Sequence, residues 1–216
     1  MNIHDIYLNF LKYKNQENAE SRDDGKFHAS STGSCYRKQM YRLEDYPQDD
    51  MDDSSYKVLR LGTVVHKDFE NAIEHHLEKN AKEITSKKIS IFSEKKVSLD
   101  KYNVTGTLDI GEYIEENGVF NLYGMAIKEE LDVKELNMFL VFYNKNTSMI
   151  REVKVYADEW IDKATDYWEE LTSLASTMKN GLFEEKLRPG WQFGVPYEDW
   201  ECKYCNYKTI CPSNLK

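Results

Sequence analysis

Three of the four cysteines in this chain, Cys202, Cys205 and Cys211, fall in one short stretch near its C-terminal end, spaced C-x2-C-x5-C. The fourth, Cys35, stands near the other end. A C-x2-C pair lets two thiolates turn toward one centre over a tight knuckle, Cys211 adds a third, and Cys35 supplies a fourth. Four thiolates make a closed tetrahedral site for zinc or a cubane iron–sulfur cluster. The two ends of the chain are then expected to be clasped together. The competing reading is that the cysteines are unligated or paired in disulfides. The N-terminal segment from Met1 to Tyr13 is amphipathic and broken by polar residues, so it reads as neither a hydrophobic leader nor a membrane span. A cytoplasmic chain with clustered cysteines favours metal over disulfide.

With 216 residues the chain is long enough for one large domain with a real core. Four prolines and ten glycines argue against long disordered linkers. A formal charge of −9 counts against a protein that coats nucleic acid nonspecifically, though not against a local basic groove. Arg37 and Lys38, with Arg42, cluster beside Cys35, and Lys87, Lys88, Lys95 and Lys96 cluster mid-chain. Asp49, Asp50, Asp52 and Asp53 read as a solvated acidic loop.

Residues 3–14 carry Ile3, Ile6, Tyr7, Phe10 and Leu11 at helical spacing, followed by a polar loop over 15–28. Cap-type residues and Gly33 precede a helix starting near Cys35, with Tyr36, Met40, Tyr41 and Leu43 on an apolar side and Arg37 and Lys38 on a basic one. The stretch 56–77 is a strong amphipathic helix with Val65, Phe69, Ala72, Ile73 and Leu77 in one stripe. His66 and Glu70, four apart, share a face beside it. Such a pair can meet one divalent ion, but alone it more often makes a surface hydrogen bond. Residues 88–156 switch to strand-like patterns: 88–93 and 96–99 as separate segments, 104–111, 118–123, 136–143 and the cleanly alternating 150–156, entered through a turn at Asn144–Thr147, with a helix-like piece near 123–131. The apolar run Met138–Tyr143 predicts a central strand covered on both faces. Asp109, flanked by Leu108 and Ile110, is a carboxylate in an apolar strand, which calls for a partner or a metal; the alternative is an edge-strand residue pointing at water. Residues 158–180 form the clearest helix, with Ile161, Ala164, Trp168, Leu171, Ala175 and Met178 as its core face.

In combination these pieces resemble a known family. The Ser-Ser-Thr-Gly-Ser-Cys-Tyr-Arg-Lys run at Ser30–Lys38 precedes a helix carrying Gly62, Thr63, His66 and Glu70, then the Thr105–Asp109 strand, then the terminal cysteines. The set is similar, in order and over most of the chain, to the iron–sulfur RecB-like nucleases of the PD-(D/E)XK superfamily, closest to the CRISPR-associated iron–sulfur exonucleases and their phage relatives. The resemblance implies an α/β fold with a restriction-endonuclease-like central mixed sheet flanked by helices. It implies a single nuclease-like domain: an N-terminal helical part (1–60) with Cys35, a core (61–180) and a cluster-binding tail (181–216). It implies a 4Fe–4S cluster on Cys35, Cys202, Cys205 and Cys211, and Mg²⁺ or Mn²⁺ on His66 and Asp109 with Glu70 as the accompanying helix acid. The expected chemistry is hydrolysis of a DNA phosphodiester, with the metal acidifying a water and neutralising charge on phosphate. Arg37 and Lys38 are the expected DNA contacts. DNA and a protein partner in a repair, recombination or CRISPR-type complex are the implied partners, in a bacterial or phage-encoded protein.

The chain departs from the family at one motif. An acid-x-Lys pair should lie on the strand after Asp109, followed by a Q-x-x-x-Y helix. Asn121 and Tyr123 meet that spacing and supply neither an anion nor a cation, and Val119 stands where the glutamine should be. Asp132 and Lys134 have the right letters in a later position, and Lys128 is on the helix-like piece. The catalytic set as read is incomplete, and a non-cleaving iron–sulfur module for DNA or a protein partner is the alternative.

Overall fold

In a computed structural model of the chain, residues 2–20, 25–86, 89–114, 119–121, 135–156, 158–177 and 200–211 are described. The architecture is mixed α/β. It divides into two units: Met1–Asn71 with Glu170–Lys216, and Ala72–Glu169. The division falls inside two helices, Asp53–Ser86 and Asp158–Thr177. Among the described residues no helix is long and apolar enough to cross a membrane.

The first unit begins with helix α1, Ile3–Glu20. It runs six residues past the apolar repeat, where a loop was expected. Tyr13 and Lys14 both donate to Glu17, each at 2.6 Å, one helical turn on. Such pairs stabilise a helix without any buried face. The buried side of α1 is Leu8 and Leu11, whereas Ile3, Ile6, Tyr7 and Phe10 remain exposed. A two-residue strand β1, Phe27–His28, and a 3₁₀ turn, Ala29–Ser31, follow. Gly33 then takes φ +81°, a left-handed conformation that glycine adopts without strain, and turns the chain into Cys35. Helix α2, Tyr36–Leu43, starts on Cys35 as its N-cap and buries Tyr36, Arg37, Gln39, Met40 and Tyr41.

Helix α3 spans Asp53–Ser86, longer at both ends than its apolar stripe. Its start is fixed by Asp52, whose carboxylate accepts the backbone N–H groups of Ser54 (2.9 Å) and Ser55 (3.0 Å) and both serine hydroxyls. Part of the acidic run is therefore an N-cap rather than a plain solvated loop. These bonds, the Ser54 and Ser55 hydroxyls first, hold the Asp52 carboxyl well below the usual carboxylate range. Val65, Phe69, Ile73 and Leu77 are half-buried, while Ala72, assigned to the same stripe, is exposed.

The second unit carries five strands: β2 Ile89–Leu99, β3 Val104–Ile114, β4 Val119–Asn121, β5 Glu135–Tyr143 and β6 Ile150–Tyr156. The two segments expected as separate strands over 88–99 form one, β2, paired antiparallel with β3 from Ile89↔Ile114 to Leu99↔Val104. The chain reverses between them through a 3₁₀ turn, Asp100–Tyr102, and Asn103 at φ +54°, a conformation Asn tolerates. β4 joins β3 antiparallel and β5 parallel, and β6 closes the series antiparallel to β5. The sheet is thus mixed, with β5 inside it.

That interior place does not bring two-sided cover. Leu140, Val141, Phe142 and Tyr143 are 39–55% exposed, and Met149 and Ile150 across the turn are exposed too. An apolar run fits a doubly covered strand and an uncovered hairpin tip equally, because letters carry no information about what lies above. The tip turn is the one expected: the Asn144 side chain accepts the N–H groups of Asn146 (2.9 Å) and Thr147 (3.2 Å). Helix α4, Asp158–Thr177, buries Tyr167, Trp168 and Leu171 along its apolar face. The last described element is the single turn α5, Trp200–Lys203, leading into the cysteine knuckle.

Candidate metal–sulfur site

Cys35, Cys202, Cys205 and Cys211 all line one cavity of the first unit, and no disulfide joins any of them. Arg37, Lys38, Tyr41, Glu201 and Lys208 complete its wall. Arg37 is 3% exposed, so the basic side of α2 faces the thiols at that position instead of solvent, and Lys38 is half-buried.

The knuckle is built by local hydrogen bonds and docked by distant ones. Cys205 N–H donates to the Cys202 carbonyl (3.3 Å) and Cys211 N–H to the Tyr207 carbonyl (3.0 Å), which folds the C-x2-C-x5-C segment into successive turns. Asp49 grips this segment from 160 residues away: its carboxylate accepts the Thr209 N–H at 3.1 Å, and its own N–H donates to the Asn206 carbonyl at 2.7 Å. Asn206 also donates from its side chain to Gln48. Asp49, the second residue of the supposed solvated loop with a structural task, is therefore a dock for the knuckle, and these bonds lower its pKa, the Thr209 side chain foremost. Beneath them Tyr41 of α2 packs against Tyr207 of the knuckle, ring centroids 5.3 Å apart, and against Tyr46 at 5.0 Å. Tyr41 and Tyr207 are 1% and 2% exposed. Burial pushes the Tyr207 phenol up to about 12, which keeps it neutral against the thiols.

Glu201, unremarked in the sequence, is the other dock. It is 7% exposed, and its Oε1 accepts the backbone N–H of Cys35 at 3.0 Å across 166 residues. Nothing in its type or spacing announces this; only its place beside Cys202 could have drawn attention.

Electrostatically the cavity is a thiol site with cations in its wall. Burial raises the pKa of Cys205, with the neighbouring Cys211 and Cys202 adding to the rise and Lys38 opposing it. A soft metal centre would reverse that balance by taking the thiolate and releasing its proton. As placed, no group of three or more His, Cys, Asp or Glu side chains among the described residues could hold a single metal ion.

The expected hydrolytic set is only partly described. His66 Nε2 lies 2.9 Å from Glu70 Oε1, and Lys67 Nζ lies 2.6 Å from Glu70 Oε2, so both oxygens of this nearly buried carboxylate are engaged on α3 itself. Asp109 belongs to β3, and its side chain lies outside the described residues. Asn121, on β4, pairs in register with Glu112, three positions beyond Asp109. Tyr123, Lys128, Asp132 and Lys134 lie outside the described residues. Comparison with protein-family models and with curated proteins returns no match to this chain.

Proposed function

We propose that the chain is an iron–sulfur protein acting on DNA, built on a restriction-endonuclease-like fold and related to the RecB-like nucleases. The observation that carries this reading is the meeting of Cys35 with Cys202, Cys205 and Cys211 around one cavity. The donor set fits a 4Fe–4S cluster in kind: four thiols and basic groups that offset their charge. Zinc takes four sulfurs at about 2.3 Å from one ion, whereas a cubane seats each thiolate on a different iron; iron and sulfide content separates the two.

When bound, the cluster supplies covalent cross-linking of distant segments, and its binding energy adds to folding. The protein's own part is already visible: Asp49, Gln48, Tyr41 and Glu201 hold the knuckle against α2. Lys38, half-exposed, and Lys208, exposed, are the cavity-wall lysines able to reach a phosphate from this side.

Cleavage is the family's chemistry. Mg²⁺ or Mn²⁺ would be held by His66 and Asp109, and would acidify a water for attack on the phosphodiester. The chain's groups would position the ion and the phosphate. A second reading, a non-cleaving module for DNA or a protein partner, is favoured by the closed state of Glu70, both of whose oxygens are taken by His66 and Lys67. The absence of an acid at Asn121 favours it further. Labelled single- and double-stranded DNA incubated with Mn²⁺ decides between them. Cleavage lost in Asp109→Ala supports the nuclease; products no faster than that variant leave the binding module. Anaerobically purified protein without iron or sulfide would refute both.

A further inference from the structure

Glu201 is a buried acid on the cavity wall, and it stands immediately before the first thiol of the knuckle. A carboxylate removed from water is unfavourable unless its oxygens are bonded. Here one oxygen, Oε1, takes the backbone N–H of Cys35 at 3.0 Å. The other, Oε2, is buried with no hydrogen-bond partner among the described residues. Cys35 is the N-cap of α2 and makes no side-chain cap of its own. A carboxylate at this point meets the positive end of the helix, which offsets part of its desolvation. The bond spans 166 residues and links the residue preceding Cys202 to the backbone of the one thiol that comes from the other end of the chain.

We propose that Glu201 is the positioning residue of the cysteine site. It seats Cys35 against the knuckle, so that four thiols stand together before any metal arrives. The cluster part of this inference rests on the iron–sulfur reading above; the seating of Cys35 does not. Without the carboxylate, α2 keeps its helix and the knuckle keeps its dock on Asp49, but the Cys35 backbone loses its acceptor. The expected defect is therefore confined to one thiol of four.

The test uses the full-length chain, with Glu201→Ala to remove the acceptor and Glu201→Gln to keep an acceptor oxygen without the charge. In metal-free protein, alkylation of each cysteine is followed by peptide mass spectrometry. Loss of a charged hydrogen bond to a buried N–H predicts Cys35 alkylation about tenfold faster in Glu201→Ala. Cys202, Cys205 and Cys211 should stay within about twofold of wild type, and Glu201→Gln should restore most of the Cys35 protection. In protein purified without oxygen, Glu201→Ala should release iron to a chelator faster than wild type and Glu201→Gln. Should Glu201→Ala fail to fold, Glu201→Asp, one methylene shorter, gives the same reading at smaller amplitude. Unchanged Cys35 reactivity, or equal acceleration of all four thiols, overturns the proposal. Wild-type protein lacking iron and sulfide overturns the iron–sulfur reading, and the alkylation series still decides the role of Glu201.

Discussion

The two units of this molecule are held together by different means. In the first, the residues that count are far apart in sequence: Tyr36 donates to Glu170 at 2.7 Å, Asp49 to Asn206, Cys35 to Glu201, and Tyr41 stacks near Tyr207. Among the described residues most of the fully buried large side chains belong here, including Tyr36, Tyr41, Tyr207, Phe27, Met40 and Leu171. In the second, order comes from ladders between neighbours in sequence, β2 with β3 and β5 with β6. Its β5–β6 tip leaves large apolar side chains in solvent. The four cysteines line a cavity in the unit whose segments have to be brought together, where the proposed cluster would add most to folding.

Substitutions sharpen this contrast. The largest effect should follow Cys205→Ala or Cys35→Ala, each of which removes one of the four ligands proposed for the cluster. Most of the bound iron should be lost, the protein should become poorly soluble, and its melting temperature should fall to that of the metal-free form. A loaded and a metal-free protein with equal melting temperatures would break the contrast. Next comes Tyr207→Ala, which empties a buried aromatic site between knuckle and α2. It should cost about 3–5 kcal/mol by denaturant unfolding, as large aromatic truncations do. Tyr36→Phe removes the hydroxyl that bonds the Glu170 carboxylate and should cost about 1–2 kcal/mol.

A smaller effect is expected from acid. The Asp49 and Asp52 carboxyls are both held below their ordinary values by hydrogen bonds in the folded chain. Depressed folded-state values mean that their stabilisation is complete above the unfolded carboxylate range and is lost as pH falls through the folded values. Asp49→Asn should therefore lower stability at neutral pH, and its difference from wild type should shrink to nothing in acid, which flattens the acid limb of the pH–stability curve. The smallest effect belongs to the other unit: Phe142→Ser, at the exposed hairpin tip, should stay within about 0.5 kcal/mol of wild type. A loss comparable to that of Tyr207→Ala would show the tip to be covered in solution.

Residue letters announced what is local. Helical stripes marked α2, α3 and α4, alternation marked β6, and Asn144 marked its turn, because each depends on neighbours within a few positions. Cysteine spacing pointed to the knuckle for the same reason. What letters withheld is distance in space. Asp49 and Asp52 looked like two members of one acidic loop, yet one docks the knuckle and the other caps α3. Glu201 carried no pattern at all, since its partner is a backbone N–H that every residue but proline possesses. The apolar letters of β5 gave its pairing but not its cover. Asp109 could be assigned to a strand from its flanks, whereas the groups that would complete a hydrolytic site with it, Lys128, Asp132 and Lys134, lie outside the described residues.

The account stands most directly on the content of the cavity shared by Cys35, Cys202, Cys205 and Cys211. Iron and acid-labile sulfide should be counted per chain in protein purified without oxygen, for wild type and for Cys35→Ala. The account predicts about four of each in wild type, the stoichiometry of a cubane, and a collapse of both in the variant. Wild-type protein without iron, or a Cys35→Ala protein that keeps its full complement, would contradict it.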